Sequence, residues 1–512
     1  MNKDRTIFLS FALLILIIYG QSLWGGFVFD DRGILDYNNI LSSLASLKDA
    51  VLQPYWEVDA GLYRPVTLLS YALNIIFLGG SAMSFHLVNL VIYFGIVSAI
   101  FVLIRRLFGD EKLALLSALV YLVLPIHTEV VANITGRSEL ISLLFSLLLL
   151  IEITKERVNF WLAGFYMLLA IGAKETAIAA LPLVLLVVII KEREFGFNVL
   201  QKYFRPVSAA VVGACLYFFA RFFVLGPDHF LGVQTSLIES PLLFASVPGR
   251  IATALSILWM YVEKTFWPFG LCSDYSFNQI PVLHGFMHLG TILGAMIFIG
   301  SLVATLYFLK KRPVVALASA FIFFGSILIS NIFFPIGTIA GERLFFFPSV
   351  GIAIFLAFLL AKINQRAVLV VVLIFYSVLS FNRQGVWMTE EKLFLNALEC
   401  APNSVLSRSN AGAAYLLNGE LDKAAEQLEI SREIKPIYSK GLNNLGLVYW
   451  KQGKSEEAMD LYHQSLMQKY PYPGAIENMI LLYTKNGDEE NALRWLRIAY
   501  PNVGDSSLRN QF

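Results

Sequence analysis

Two adjacent carboxylates, Asp30 and Asp31, stand in the stretch FVFDDRG, a few residues past an apolar run. Like charges that close push one pKa up, which suits a general base or a group that orients a hydroxyl. The bland alternative is a solvated turn in which an Asp caps a helix. A second polar stretch, LPIHTEVVANITGRSE, places His127, Glu129, Asn133, Arg137 and Glu139 between two apolar runs. His127 and Glu129 could bind a metal or a phosphate, although two ligands two residues apart make a weak metal signal. The alternative is a polar hairpin. Asn133-Ile134-Thr135 fits a glycosylation acceptor pattern, discounted here for its packed setting. In GAKETA, Lys174 and Glu175 can simply pair with each other. In FPIGTIAGERLFFFPS, Glu342 precedes Arg343, and arginine is well suited to hold a phosphate. Arg64, Arg221 and Arg250 are further candidates, each of which could instead snorkel to an interface. The stretch SDYSF adds Asp274 and Tyr275.

These residues need a scaffold, and the composition says which kind. The 512 residues are 57% hydrophobic and only 15% charged, against about 45–50% and about 25% in soluble domains. The apolar residues fall in long runs. Runs able to cross the hydrocarbon centre near Leu14, Val97, Leu119, Leu147, Met167, Leu185, Ala214, Met296, Phe323, Phe355 and Leu373, which predicts about 11 spans. Stretches after Arg64 and Arg250 are ambiguous and raise the upper bound to about 13. The first run, Ile7 to Ile18, follows Lys3 and Arg5 and lacks a small-x-small cleavage site, so it reads as an uncleaved span. Basic clusters lie at Lys3/Arg5, Arg105/Arg106/Lys112, Lys155/Arg157, Lys191/Arg193/Lys202/Arg205, Lys310/Lys311/Arg312 and Lys362/Arg366. With about 11 spans and the N-terminus in the cytoplasm, every cluster lands inside, and the loops at about Trp24 to Met83, Thr128 to Glu139, Gly226 to Gly285 and Asn331 to Arg343 land outside with the C-terminal domain. The formal net charge of +2 gives no sign of nucleic-acid binding. Cys215, Cys272 and Cys400 share no close spacing, which excludes a CxxC motif, and their odd number reads as packing.

After about Phe381 the composition becomes that of a soluble domain. A self-comparison at offset 34 aligns Gly412 with Gly446, Tyr415 with Tyr449 and Tyr483, Gly419 with Gly453 and Gly487, and Ala424 with Ala458 and Ala492. Pro436 ends the first unit, Pro471 falls one residue late for the second, and Ile480 replaces the first Gly of the third. This is the tetratricopeptide pattern, in which paired helices stack into a superhelix with a concave groove for peptides or helices. A self-packing module is the alternative.

The convergence of two carboxylates, several arginines and a histidine on the outer face suits transfer from an anionic lipid. Arg or His would hold the phosphate, and a carboxylate would orient the acceptor hydroxyl. A proton-coupled transporter would instead carry acids midway through its spans, where this chain has few.

The stretches FVFDDRGILDYN, YRPVTLLSYALN, FHLVNLVIYF, LPIHTEVVANITGRSELIS, AKETAIAALPL, CSDYSF and FPIGTIAGERLFFFPSVG, in this order and followed by repeats, resemble the transmembrane and tetratricopeptide-repeat-containing O-mannosyltransferase family and its bacterial relatives. The likeness covers nearly the whole chain. It implies an all-α, polytopic bundle of the GT-C glycosyltransferase fold over residues 1–383, then an α-solenoid of about three repeats over residues 384–512. It implies transfer of mannose or another hexose from a polyprenyl-phosphate lipid to protein Ser or Thr. Asp30 or Asp31 would be the base, with Arg64, His127, Glu129, Arg137, Glu139, Lys174, Glu175, Glu342 and Arg343 around the donor phosphate and substrates. The likeness implies no cofactor, although a divalent metal stays open. The expected partners are the lipid-linked sugar, membrane lipid and a protein acceptor held by the repeats, and no nucleic acid. The repeat array is short beside that of animal members, and the compact chain fits a bacterial inner membrane with its site and repeats in the periplasm. Two rivals stand beside this reading: a membrane-anchored scaffold that recruits envelope proteins, and an oligosaccharide or O-antigen ligase.

Overall fold

The computed structural model describes residues 2–37, 46–56, 61–194, 196–230, 236–363, 366–468 and 472–499. Pro471 lies outside the described residues. Among the described residues the regular structure is helical throughout. In chain order the helices are α1 (Asn2–Tyr19), α2 (Asp30–Tyr37), α3 (Ser46–Leu52), α4 (Pro65–Leu78), α5 (Ala82–Phe108), α6 (Glu111–Val123), α7 (Thr128–Ala132) and α8 (Arg137–Ile153). They continue as α9 (Phe160–Ala173), α10 (Ala180–Glu192), α11 (Phe197–Phe230), α12 (Val247–Phe266), α13 (Leu289–Phe308), α14 (Pro313–Ile327), α15 (Ser349–Leu360) and α16 (Arg366–Gln384). The last seven are α17 (Glu390–Cys400), α18 (Val405–Leu417), α19 (Leu421–Ile434), α20 (Ser439–Lys451), α21 (Ser455–Leu466), α22 (Gly474–Lys485) and α23 (Glu489–Ala499).

Each apolar run expected to span is a helix. Among the described residues, 6 are long and apolar enough to cross a membrane, or 7 if α6 and the bent segment after it count as one. The others, such as α9 with 14 residues and α14 with 15, are shorter than a full crossing. Local signals start and stop the helices. Ser81 accepts the Ser84 N–H at the head of α5, Asp110 accepts the Leu113 N–H at the head of α6, and Gly109 closes α5 in the left-handed conformation. Small residues let the backbones approach. A Cβ on Gly213 of α11 would lie 2.4 Å from the Gly164 carbonyl of α9, and one on Gly294 of α13 would lie 1.8 Å from the Leu255 carbonyl of α12.

Basic groups from separate clusters gather beside one another. Lys3 pairs with Glu111 at 2.7 Å, Arg105 pairs with Asp4 at 2.7 Å, and Lys112 donates to the Ala361 carbonyl at 2.6 Å. These groups mark one end of the bundle. The 27 residues of α5 rise about 40 Å from Arg105 to the other end, where the polar stretches lie.

The chain divides into two compact units. One holds Met1–Ser273 and Val282–Leu393, the other Asp274–Pro281 and Phe394–Phe512. The second unit takes in Asp274–Pro281, so the SDYSF stretch after Ser273 groups with the repeats. Its Asp274 accepts hydrogen bonds from the hydroxyls of Ser404 and Ser407, and its Phe277 carbonyl accepts the Val405 N–H at 2.7 Å. Ser404 caps α18 by accepting the Ser407 N–H at 3.1 Å, and Asp274 anchors the hydroxyls of both serines. Cys215 is a free thiol, whereas Cys272 and Cys400 are disulfide-bonded, which corrects the expectation of three packing cysteines.

In the repeat unit, α18/α19, α20/α21 and α22/α23 form three helix pairs. Gly419, Gly453 and Gly487 close the turns with φ of 77°, 83° and 75°. A Cβ on Gly412 would meet Leu428 at 2.5 Å and one on Gly446 would meet Tyr462 at 2.7 Å, which is why the period repeats a glycine there.

Candidate active site

The two adjacent acids have opposite surroundings. Asp31 is fully buried, and its carboxylate accepts the Val28 N–H and the Thr135 N–H, each at 3.0 Å. The Asp31 N–H returns to the Val28 carbonyl at 3.1 Å. Together these bonds tie Asp31 back to both backbone groups of Val28 and close a turn at the start of α2. Burial pushes the Asp31 carboxyl up to about 7, against the two N–H donors and with the Asp30 charge adding to the rise. Asp30 keeps 31% of its side chain exposed and faces Arg343 at 3.4 Å. Between Val28 and Asp30, Phe29 holds a φ of 53°, a region that non-glycine residues seldom occupy.

Arg343 is the hinge of the site. It sits in a 3-10 turn, Glu342–Phe346, ahead of α15. Its Nη1 reaches Asp30 Oδ2 at 3.4 Å and Glu129 Oε1 at 3.6 Å, and its backbone N–H donates to Glu129 Oε2 at 2.9 Å. Glu129 is buried, so Arg343 supplies the positive charge that it needs, and the guanidinium in turn is held cationic against burial by Glu129 and Asp30. Glu342 points elsewhere. It is buried, accepts the Cys272 N–H, and lies 4.0 Å from Arg383. The turn is fixed by the Gly341 N–H, which donates to the Tyr261 hydroxyl at 3.0 Å.

Lys174 and Glu175 do not pair with each other. Lys174 is tied to Glu139 in a buried ion pair. Glu175 sits between Arg221 at 2.9 Å and Arg64 at 3.4 Å, and also accepts from the Tyr217 hydroxyl at 3.3 Å. Arg221 directs its other donors to the carbonyls of Gly61 and Phe230. Arg343 and Arg64 both feel the charge of Glu139, so the two groups of ion pairs form one field of alternating sign. Its accessible end is at Asp30 and Arg343. Among the described residues, no three His, Cys, Asp or Glu side chains are grouped to hold a metal ion.

His127 and Arg137 lie inside the scaffold. His127 is fully buried, with Nδ1 3.2 Å from the Tyr93 hydroxyl and Nε2 2.8 Å from the Ser349 hydroxyl. Both ring nitrogens are taken by protein groups. Arg137 is also fully buried. It donates to Asn89 Oδ1 at 2.8 Å, Asn74 Oδ1 at 3.1 Å, the Phe85 carbonyl at 2.8 Å and the Ser70 carbonyl at 3.4 Å. The rings of Tyr71 and Phe85 cover it. Both side chains are enclosed by protein partners. Asn89 and Asn74 were missed from sequence, although an asparagine inside an apolar helix is costly enough to be a signal. Asn133 holds the loop before α8, since its side-chain oxygen accepts from the Thr135 N–H at 3.0 Å and hydroxyl at 2.8 Å.

A tetratricopeptide-repeat family model matches residues 393–426. Over 483 residues the chain is 26% identical to "Protein O-mannosyl-transferase TMTC3" of Mus musculus, an alignment covering 85% of this chain and 51% of that protein. Over 459 residues it is 28% identical to "Protein O-mannosyl-transferase TMTC4" of Homo sapiens, covering 78% of this chain and 62% of that protein. The crystal structure of ArnT from Cupriavidus metallidurans bound to undecaprenyl phosphate superposes with a TM-score of 0.45 at 15% identity, covering 93% of this chain and 80% of that one. The chain thus spans about half the length of the first of these relatives and under two thirds of the second.

Proposed function

We propose that this chain, which belongs to the transmembrane and tetratricopeptide-repeat-containing O-mannosyltransferase family, is an integral membrane glycosyltransferase of GT-C type that moves a hexose, mannose first, from a polyprenyl-phosphate donor to a protein Ser or Thr. The observation that carries the reading is the contrast between Asp30 and Asp31. Asp30 is accessible and held by one cation at 3.4 Å, while Asp31 is sealed among backbone donors. A base must reach the proton that it takes, and of the two acids only Asp30 can.

In this mechanism the acceptor oxygen attacks the anomeric carbon. Its proton passes to Asp30, the bond from the anomeric carbon to the phosphate oxygen breaks, and polyprenyl phosphate leaves with that electron pair. The anomeric centre inverts. Arg343 meets the leaving phosphate, so an arriving donor competes with Asp30 for the guanidinium and frees the carboxylate for the acceptor. Glu129 keeps Arg343 in place during the exchange. Lys174, Glu139, Arg64 and Glu175 extend the charged field around the donor, and the repeat unit supplies the acceptor-binding groove. The site faces away from the cytoplasm, the periplasm in a bacterium.

Transfer by the purified full-length protein tests the reading. Polyprenyl-phosphate mannose and glucose, each radiolabelled in the sugar, are offered with envelope proteins as acceptors. Label on protein Ser or Thr is the expected result. No transfer from any lipid-linked donor, with a partner still captured by the repeats, would move the reading to the membrane-anchored scaffold. Transfer of a lipid-linked oligosaccharide alone would move it to a ligase.

A further inference from the structure

We infer that Asp31, Asn133, Thr135, Asn89 and Arg137 form a buried polar relay that positions Asp30, so that residues with no reach to the substrate control the rate of transfer. The inference rests on the reading of Asp30 as the base.

The relay can be followed bond by bond. Arg137, at the head of α8, is fully buried and grips Asn89 of α5 at 2.8 Å. The Asn89 amide donates to the carbonyls of Asn133 at 3.1 Å and Ile134 at 3.4 Å. Asn133 accepts both the N–H and the hydroxyl of Thr135. The same Thr135 N–H donates to Asp31 at 3.0 Å, and Asp31 takes the Val28 N–H at 3.0 Å. Every side chain in the path is buried, and a buried polar group without a partner is costly. Breaking any one link would therefore leave a buried polar group unpaired.

Its last link explains a feature that local sequence cannot. Phe29 sits at φ 53°, a strained position for an aromatic residue, and such strain persists only where the surroundings over-determine it. The reciprocal bonds of Val28 and Asp31 close the chain around Phe29. That closure turns Asp30 out of the protein and toward Arg343. Gly136 keeps the inner loop tight: a Cβ there would lie 2.2 Å from the Val130 carbonyl, on the segment that carries Glu129. The relay thus connects the loop that holds the base to the loop that holds its cation's partner.

The test uses the full-length protein in detergent with polyprenyl-phosphate mannose, and reads both kinetics and hydrogen exchange. Asp31→Asn, Asn89→Ala and Arg137→Lys are expected to lower kcat about 10- to 100-fold, as a base displaced by about 1 Å would. The donor KM stays within about 3-fold, since Arg343 is untouched. Thr135→Ser keeps the backbone donor and the hydroxyl, and is expected to retain wild-type kcat. Exchange at the Val28 amide accelerates in Asp31→Asn and Asn89→Ala. Unchanged kcat in Asp31→Asn overturns the relay, and so does unchanged exchange at Val28 in Asn89→Ala. A parallel fall of kcat, donor affinity and melting temperature in all three variants also overturns it, because that is the mark of general unfolding. Failure of the base reading looks different: Asp30→Asn would then transfer sugar at the wild-type rate, whatever Val28 does.

Discussion

The ion pairs of the repeat unit and those of the membrane unit are built on different scales. In the repeats, charged partners are neighbours on one helix or at its start: Lys423 with Glu420, and Arg432 with Glu429, each three residues apart. At the candidate site the partners come from distant stretches, as in Asp30 with Arg343, Glu129 with Arg343, and Lys174 with Glu139. The exposed local pairs are screened by water and add little. These site pairs are partly or wholly buried, and each needs the fold to exist before it can form. A repeat can lose a charge and keep its shape, whereas the site consists of nothing but its shape and charge.

The contrast can be broken most severely at Asp30. Asp30→Asn should lower sugar transfer by about 10³-fold or more while donor binding persists, as measured by label transfer and by the donor-induced shift in melting temperature. Arg343→Gln should cost about 10²- to 10³-fold in kcat, the scale of a lost charge-stabilising donor, with Arg343→Lys recovering part of it. It should also leave Glu129 buried without its cation, so its melting temperature drops where that of Asp30→Asn does not.

The repeat unit should respond in stability instead of chemistry. Gly412→Ala places a Cβ 2.5 Å from Leu428, and should destabilise that unit by about 1–3 kcal/mol. Limited proteolysis of the full-length protein would show faster cleavage within residues 394–468, with transfer to a short peptide acceptor retained.

A smaller effect concerns pH. The Asp31 carboxyl is raised from its ordinary 3.8 to about 7 in the folded protein. The folded state therefore binds this proton more tightly than the unfolded chain does. Its stabilising share is complete below about 4 and is lost as pH rises through about 7. Melting temperature should fall between pH 5 and 8 by several degrees more in the wild type than in Asp31→Asn. At the bottom of the scale, Lys423→Ala should change stability by no more than about 0.5 kcal/mol, because its partner Glu420 is an exposed neighbour.

The same contrast explains what the sequence discloses. The repeats were legible because each recurrent residue answers a local need. Gly419, Gly453 and Gly487 allow a positive φ, and Ala424, Ala458 and Ala492 are small enough for full burial. The apolar runs were legible for the same reason, since a span is a local property, although the shorter helices fall below a full crossing. The acids, arginines and lysine of the candidate site stand out in the sequence as residue types, whereas their partners do not. Asp30 and Asp31 are chemically identical and adjacent, and only the fold brings the Thr135 N–H to one and Arg343 to the other. Arg137 and His127 have the side chains of phosphate ligands, yet their partners arrive from α4, α5 and the head of α15 and leave them inside the protein. Lys174 and Glu175 looked paired because they are neighbours, and in the structure each pairs with a residue at least 35 positions away.

The most direct measurement follows donor binding and label transfer in one preparation, with the wild type beside Asp30→Asn. The wild type should move labelled sugar to protein, and Asp30→Asn should show the same donor-induced stabilisation with label transfer lowered by about 10³-fold or more. Equal transfer by both proteins, with donor bound to both, would contradict the assignment of Asp30 as the base.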